Sequence, residues 1–161
     1  MLEHFSKWLG STSASAYFAS TSWIVPTMQS IHIVCVAIVF ASMSMLSFRL
    51  LGITGRGRSV SASATPVLWW LWPALIVLLL TGTVMVIAEP ERELLNETFL
   101  IKMLLVAIAA VASALLRRSI SRNPQEWDVS RGHGVARAVG GVFLTLWIAI
   151  IICGRWIAYT Q

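Results

Sequence analysis

Three ionisable side chains stand inside apolar runs of this sequence, and each belongs to a type that can ligate, pair with charge or carry a proton. His32 lies in "QSIHIVC", Lys102 in "TFLIKMLL" and Arg155 in "IICGRWI". At helical spacing His32 shares its face with Met28, Gln29, Cys35, Val36, Val39 and Met43. Met28, His32 and Cys35 thus form a soft-to-borderline donor set of the kind that suits haem iron or Cu(I). Met and Cys are also ordinary core fillers, so the same face reads equally as packing. Met43 and Met45 in "MSM" point to different faces and add nothing to the set.

The elements that must hold these groups follow from composition. Of 161 residues, 57% are hydrophobic and 12% charged, too little polar surface for an ordinary soluble domain. Apolar segments of about 20 residues, the length that crosses roughly 30 Å of hydrocarbon, recur along the chain. Four transmembrane helices are predicted, over about residues 23–48, 66–88, 97–116 and 135–158. Pro26 suits a first helical turn, and Pro73 should kink the second helix or mark its first turn. The fold class is therefore all-α, an integral membrane four-helix bundle in one transmembrane domain over residues 1–161. Leu2, Phe5 and Leu9 recur at helical spacing ahead of the first span and predict a short amphipathic interfacial helix. Trp8, Tyr17, Phe18 and Trp23 would be its anchors. That segment lacks the apolar core of a signal peptide, so no cleavage is expected.

Charge sets the expected orientation. Arg49, Arg56 and Arg58 follow the first span, and Arg117, Arg118, Arg122, Arg131 and Arg137 lie between the third and fourth. The loop "EPERELLNE" between the second and third is acidic. Positive loops stay inside, so the acidic loop and both termini should face the periplasm of a bacterial inner membrane. The formal charge of +5 is thus mostly topology, and nucleic acid is not an expected partner.

With that orientation His32, nine residues past Trp23, lies roughly 12 to 14 Å along its helix from the outer side. Lys102, Arg155 and Glu89 fall in the same outer half. Each helix brings one ionisable group there, and such groups by default face the bundle interior and act there. Long side chains such as Lys102 and Arg155 can instead snorkel to the headgroups. The imidazole is too short for that, and its ordinary alternative is a hydrogen bond to a neighbouring helix.

A b-type haem held across a four-helix bundle needs two strong axial donors. His133, in "SRGHGVAR", is expected at the cytoplasmic side and cannot share a haem with His32. The second donor would be Lys102, Met28, a water, or His4 folded back. Cys35 and Cys153 occur in no CxxC and form neither a zinc nor a disulfide framework. Ala136 with Gly140, and Ala110 with Ala114, mark close helix packing. No HExxH, P-loop, GxSxG or dinucleotide fingerprint is present in the sequence.

"PTMQSIHIV", "SFRLLG", the Thr81–Gly82 pair and "NETFLIKMLL" together resemble an uncharacterised bacterial family of small four-helix inner-membrane proteins. More distantly, a histidine in helix one, an Arg-Leu pair at its inner end and a lysine opening helix three are similar to four-helix protoporphyrinogen oxidases and copper-resistance-D-like membrane proteins. In the oxidases the histidine and lysine are the functional pair, associated with haem. That resemblance implies the same roles for His32 and Lys102. Phe48 stands where the nearer family has an aspartate before Arg-Leu.

The leading expectation is a haem-b-associated redox or electron-transfer protein, with His32, Lys102, Arg155, Met28 and Gln29 around the cofactor. Its partners would be the lipid bilayer and either quinone or a membrane or periplasmic redox subunit. A non-enzymatic anchor or accessory subunit, and a copper site of Met28, His32 and Cys35, are the alternatives. A homo-oligomer is compatible with each.

Overall fold

A computed structural model describes residues 1–54, 59–129, 134–157 and 159 of the chain. It is all-α, and four of its helices are long and apolar enough to cross a membrane. In chain order the helices are α1 (Leu2–Gly10), α2 (Ser13–Ser20), α3 (Ile24–Leu50), α4 (Val60–Ala88), α5 (Pro90–Leu94), α6 (Glu97–Arg122), α7 (Pro124–Val129) and α8 (Gly134–Trp156).

Local chemistry sets the boundaries. α3 ends in a Schellman motif: Gly52 takes φ +78°, Ile53 N–H donates to Phe48 at 3.0 Å and Gly52 N–H to Arg49 at 3.1 Å. Ser59 caps α4 by accepting from Ala62 N–H at 3.1 Å. The helix therefore starts six residues before the expected Pro66, and Pro66 and Pro73 both lie inside it. Asn96 caps α6 by accepting from the N–H groups of Thr98 and Phe99. That helix runs to Arg122 rather than Leu116, because arginine is a good helix former and needs no apolar surroundings.

Around the bundle α4 packs on α3, α3 on α8 and α8 on α6, while the α4–α6 seam that closes the ring is the sparsest. α3 and α6 consequently stand on a diagonal. The arginines Arg49, Arg117, Arg118, Arg122 and Arg137 gather at one end of the bundle, hereafter the basic end. α1, α2 and α5 cover the other, hereafter the capped end.

Packing differs between these halves. From Val39 to Leu50, α3 buries Val39, Met43, Leu46, Ser47, Arg49 and Leu50, and of these Val39, Met43, Leu46 and Leu50 join Leu68, Leu71, Ala109, Phe143 and Trp147 in one core. Gly140 lets α8 approach closest there: a Cβ on it would stand 2.9 Å from both Leu50 Cβ and the Ser47 carbonyl. From residue 25 to residue 38, by contrast, α3 buries no side chain. Over residues 75–87, 100–108 and 151–156 the facing helices bury only Thr81. Above this layer α1 and α2 dock through Ser6 and Ser15, and Gly10 lies against Pro90. α1 turns Leu2, Phe5 and Trp8 outward, so its apolar face is the one away from the protein.

Candidate functional site

The single buried side chain of the loose layer is Thr81, and it meets His32: Nδ1 lies 2.8 Å from Thr81 Oγ1. The threonine hydroxyl has one proton, and its own helix claims it, through the Val77 carbonyl at 2.8 Å and the Leu78 carbonyl at 3.2 Å. With that proton so placed, its lone pair accepts from His32 Nδ1–H, and in this tautomer a neutral imidazole keeps its Nε2 lone pair available. Among the described residues nothing hydrogen-bonds Nε2. One pinned nitrogen and one free nitrogen is the arrangement that orients a metal-ligating histidine. Gly82, next on α4, runs past the ring edge: a Cβ there would be 3.5 Å from His32 Cε1.

Lys102 enters from the diagonal helix. The Asn96 cap fixes where α6 begins, which puts Lys102 in its second turn, facing inward and half-buried. Its Nζ sits 5.4 Å from the centroid of the Phe99 ring, a cation–π contact. Among the described residues no hydrogen-bond acceptor reaches the ammonium. His32, Cys153 and Glu93 all lie within electrostatic reach of this ammonium. α8 passes close: a Cβ on Gly154 would lie 3.7 Å from Lys102 Cδ. Burial pushes the Glu93 carboxyl up from its ordinary range, against the opposing pull of Lys102 and Arg92.

The expected residues divide. His32 and Lys102 converge. Arg155 does not join them: it is exposed and turns to Tyr159, with Nη2 3.1 Å from the phenol oxygen and the guanidinium 5.4 Å over the ring. Glu89 is drawn into a surface ion pair with Arg92 at 2.6 Å, both side chains nearly half exposed, a pairing worth little. Met28 and Cys35 are half-buried on the face of His32, and Gln29 is exposed. Among the described residues no three His, Cys, Asp or Glu side chains come together as a metal site. His4 is exposed on α1, and His133 lies outside the described residues.

Thr81, Glu93 and Cys153 were not assigned to the site from sequence, where Thr81 entered only through the resemblance and Cys153 only as a cysteine outside any CxxC. Glu93 was concealed because "PERELL" reads as a loop, whereas Pro90 at the first helical position starts the short α5 and turns Glu93 inward. Cys153 precedes Arg155 by two residues, and at 100° per residue those two positions face opposite ways.

The chain belongs to DUF6644, a family of unknown function, whose model matches residues 5–160. No curated protein and no solved structure matches it.

Proposed function

We propose that this member of a family of unknown function is a membrane-embedded redox or electron-transfer protein that holds haem b at the capped end of its bundle. The supporting observation is the contact of His32 Nδ1 with Thr81, which leaves Nε2 unpartnered among the described residues, beside a lysine that no acceptor among them reaches. His32 would hold the haem iron through Nε2. Lys102 supplies a second donor or pairs with a propionate, and Glu93 balances its charge. Haem bound there would contribute one-electron chemistry at iron. Thr81 holds the ring and keeps Nε2 basic, while α1, α2 and α5 limit access of water from their side. The distant resemblance to four-helix protoporphyrinogen oxidases, which implies a histidine–lysine pair, supports the same two residues.

The basic end belongs on the cytoplasmic side of a bacterial inner membrane, which puts the site in the outer half. A reporter fused at Gln161 should behave as periplasmic, and cytoplasmic behaviour would reverse this. The quinone pool or a membrane or periplasmic subunit would exchange electrons with it.

Expression with haem supplied, followed by an absorption spectrum of the purified protein, tests the assignment. A Soret band lost in His32→Ala with helicity intact is the expected result. A colourless wild-type protein would refute it and leave an anchor or accessory role. Stoichiometric copper on elemental analysis would instead point to Met28, His32 and Cys35.

A further inference from the structure

We propose that the space around His32 and Lys102 is reached from within the membrane, through the seam between α4 and α6, by a lipid-soluble molecule whose polar end carries carbonyl or carboxylate oxygens. The proposal builds on the site assigned above and adds its route and its class of visitor.

Three features of the fold carry it. The first is a floor: Val39, Ala74, Ala109 and Ile150, one from each long helix, are buried across the bundle just below the loose layer. Close-packed side chains leave no passage toward the basic end. The second is a roof. Ser6 of α1, Ser15 of α2, Ala88 and Phe99 are buried above the layer, and α5 lies beneath α1. The roof's own apolar residues Leu2, Phe5 and Trp8 point away from the protein, as in a segment seated in the interfacial region. Among the described residues, packed side chains thus cover both ends of the layer. The third is the wall. α4 packs closely on α3, α3 on α8 and α8 on α6, but α4 and α6 touch least. Ile76, Leu79 and Leu80 of α4, and Leu100, Ile101 and Leu104 of α6, are exposed on the outer sides of these two helices at this level, so the surroundings of the seam are apolar. A sparse seam set in such surroundings admits what dissolves in lipid.

Polarity inside the layer then selects among lipid-soluble molecules. The Lys102 ammonium rests against Phe99 at the roof, so its unsatisfied donors lie at the top of the space. Below it the walls are half-buried aliphatic groups such as Val36, Leu75, Leu78 and Leu105. A molecule that fits has its acceptor oxygens upward and its apolar body downward. A quinone and a long-chain carboxylic acid share that chemistry.

Cys153 lies beside Lys102 and reports on access. The experiment uses the full chain with Cys35→Ser, purified without cofactor and reconstituted in liposomes. Labelling of Cys153 by a lipophilic maleimide is compared with labelling by a charged, impermeant maleimide supplied on both sides. The lipophilic reagent should react at least about tenfold faster, since thiol reactivity follows access. Ser13→Cys on exposed α2, in a Cys35→Ser, Cys153→Ser chain, should react readily with the charged reagent. Equal rates at Cys153 would show a route from water, and no reaction with either reagent would show no route; both overturn the proposal. Protection of Cys153 by a decyl-substituted benzoquinone identifies a carbonyl visitor, and protection by oleate a carboxylate. Either should be lost in Lys102→Met and kept in Lys102→Arg. Protection by neither overturns the assignment of the polar end. Because no cofactor is used, a missing Soret band leaves this outcome standing, and equal labelling leaves the haem result standing.

Discussion

Replacing Thr81 with valine keeps the shape of a side chain that is 5% exposed and removes one oxygen. His32 Nδ1–H then loses its acceptor at 2.8 Å. A donor left unpaired away from water costs about 1–3 kcal/mol. At about 1.4 kcal/mol per decade, that weakens a ligand that needs this tautomer by roughly 5- to 140-fold. Loss of the outer partner of a metal-ligating histidine generally costs about 10–100-fold, which falls in the same range. The fold should not suffer, because the Val77 carbonyl keeps its helical backbone donor and the unliganded ring relieves Nδ1 by carrying its proton on Nε2, so the cost falls on the liganded state. Titration of haem into purified Thr81→Val, read at the Soret band, should therefore show weakened binding with an unchanged thermal melt of helicity. Thr81→Ser, which retains an acceptor, should bind as the wild type does. If Thr81→Val bound haem like wild type while His32→Ala did not, the imidazole would matter but the threonine would not orient it, and the tautomer argument would fail.

Other expectations follow from the packing and the charges. Gly140→Ala places a methyl 2.9 Å from Leu50 Cβ and the Ser47 carbonyl, so α3 and α8 must separate, at about 1–3 kcal/mol for an overpacked contact. Gly141→Ala meets nothing within 4 Å and should be neutral or more stable by up to about 1 kcal/mol. Reversible unfolding in mixed micelles compares the two, and equal loss in both would contradict the close crossing. Ser47 Oγ is buried without a hydrogen-bond partner among the described residues, so Ser47→Ala should be neutral or stabilising by about 1 kcal/mol. A clear loss of stability would mean that the hydroxyl is bonded. Glu93 has its folded pKa raised by burial first, so the folded state holds that proton more tightly than the unfolded chain. Wild-type stability should accordingly decline as pH rises from the ordinary carboxylate range through the raised value. Glu93→Gln should lack that component, and identical pH profiles for the two proteins would remove burial as the cause.

Sequence reached some parts of this molecule easily and others not at all, for reasons that differ by residue. Length and apolarity place four spans because the bilayer thickness is a hard constraint. They do not place helix ends that outrun the apolar run, such as Val60–Thr65 and Arg117–Arg122, where capping and propensity decide. Depth along a helix is likewise simple arithmetic, and it put His32 and Lys102 at one level. Rotation about the helix axis is not, in spans whose apolar residues surround them on every side. Hence Arg155 was expected where Cys153 stands, and Glu89 where Glu93 stands. Thr81 was read only as part of a motif because threonines in membrane helices commonly bond their own backbone; only a structure shows an imidazole sharing that oxygen.

The His32–Thr81 contact also has a place in time. Both residues belong to α3 and α4, the earlier pair of the four long helices in chain order, and the bond between them spans 49 residues of sequence. α6 and α8, which carry Lys102 and Cys153, are synthesised afterwards. A hairpin of two inserted helices can therefore fix which imidazole nitrogen bears the proton before the lysine exists.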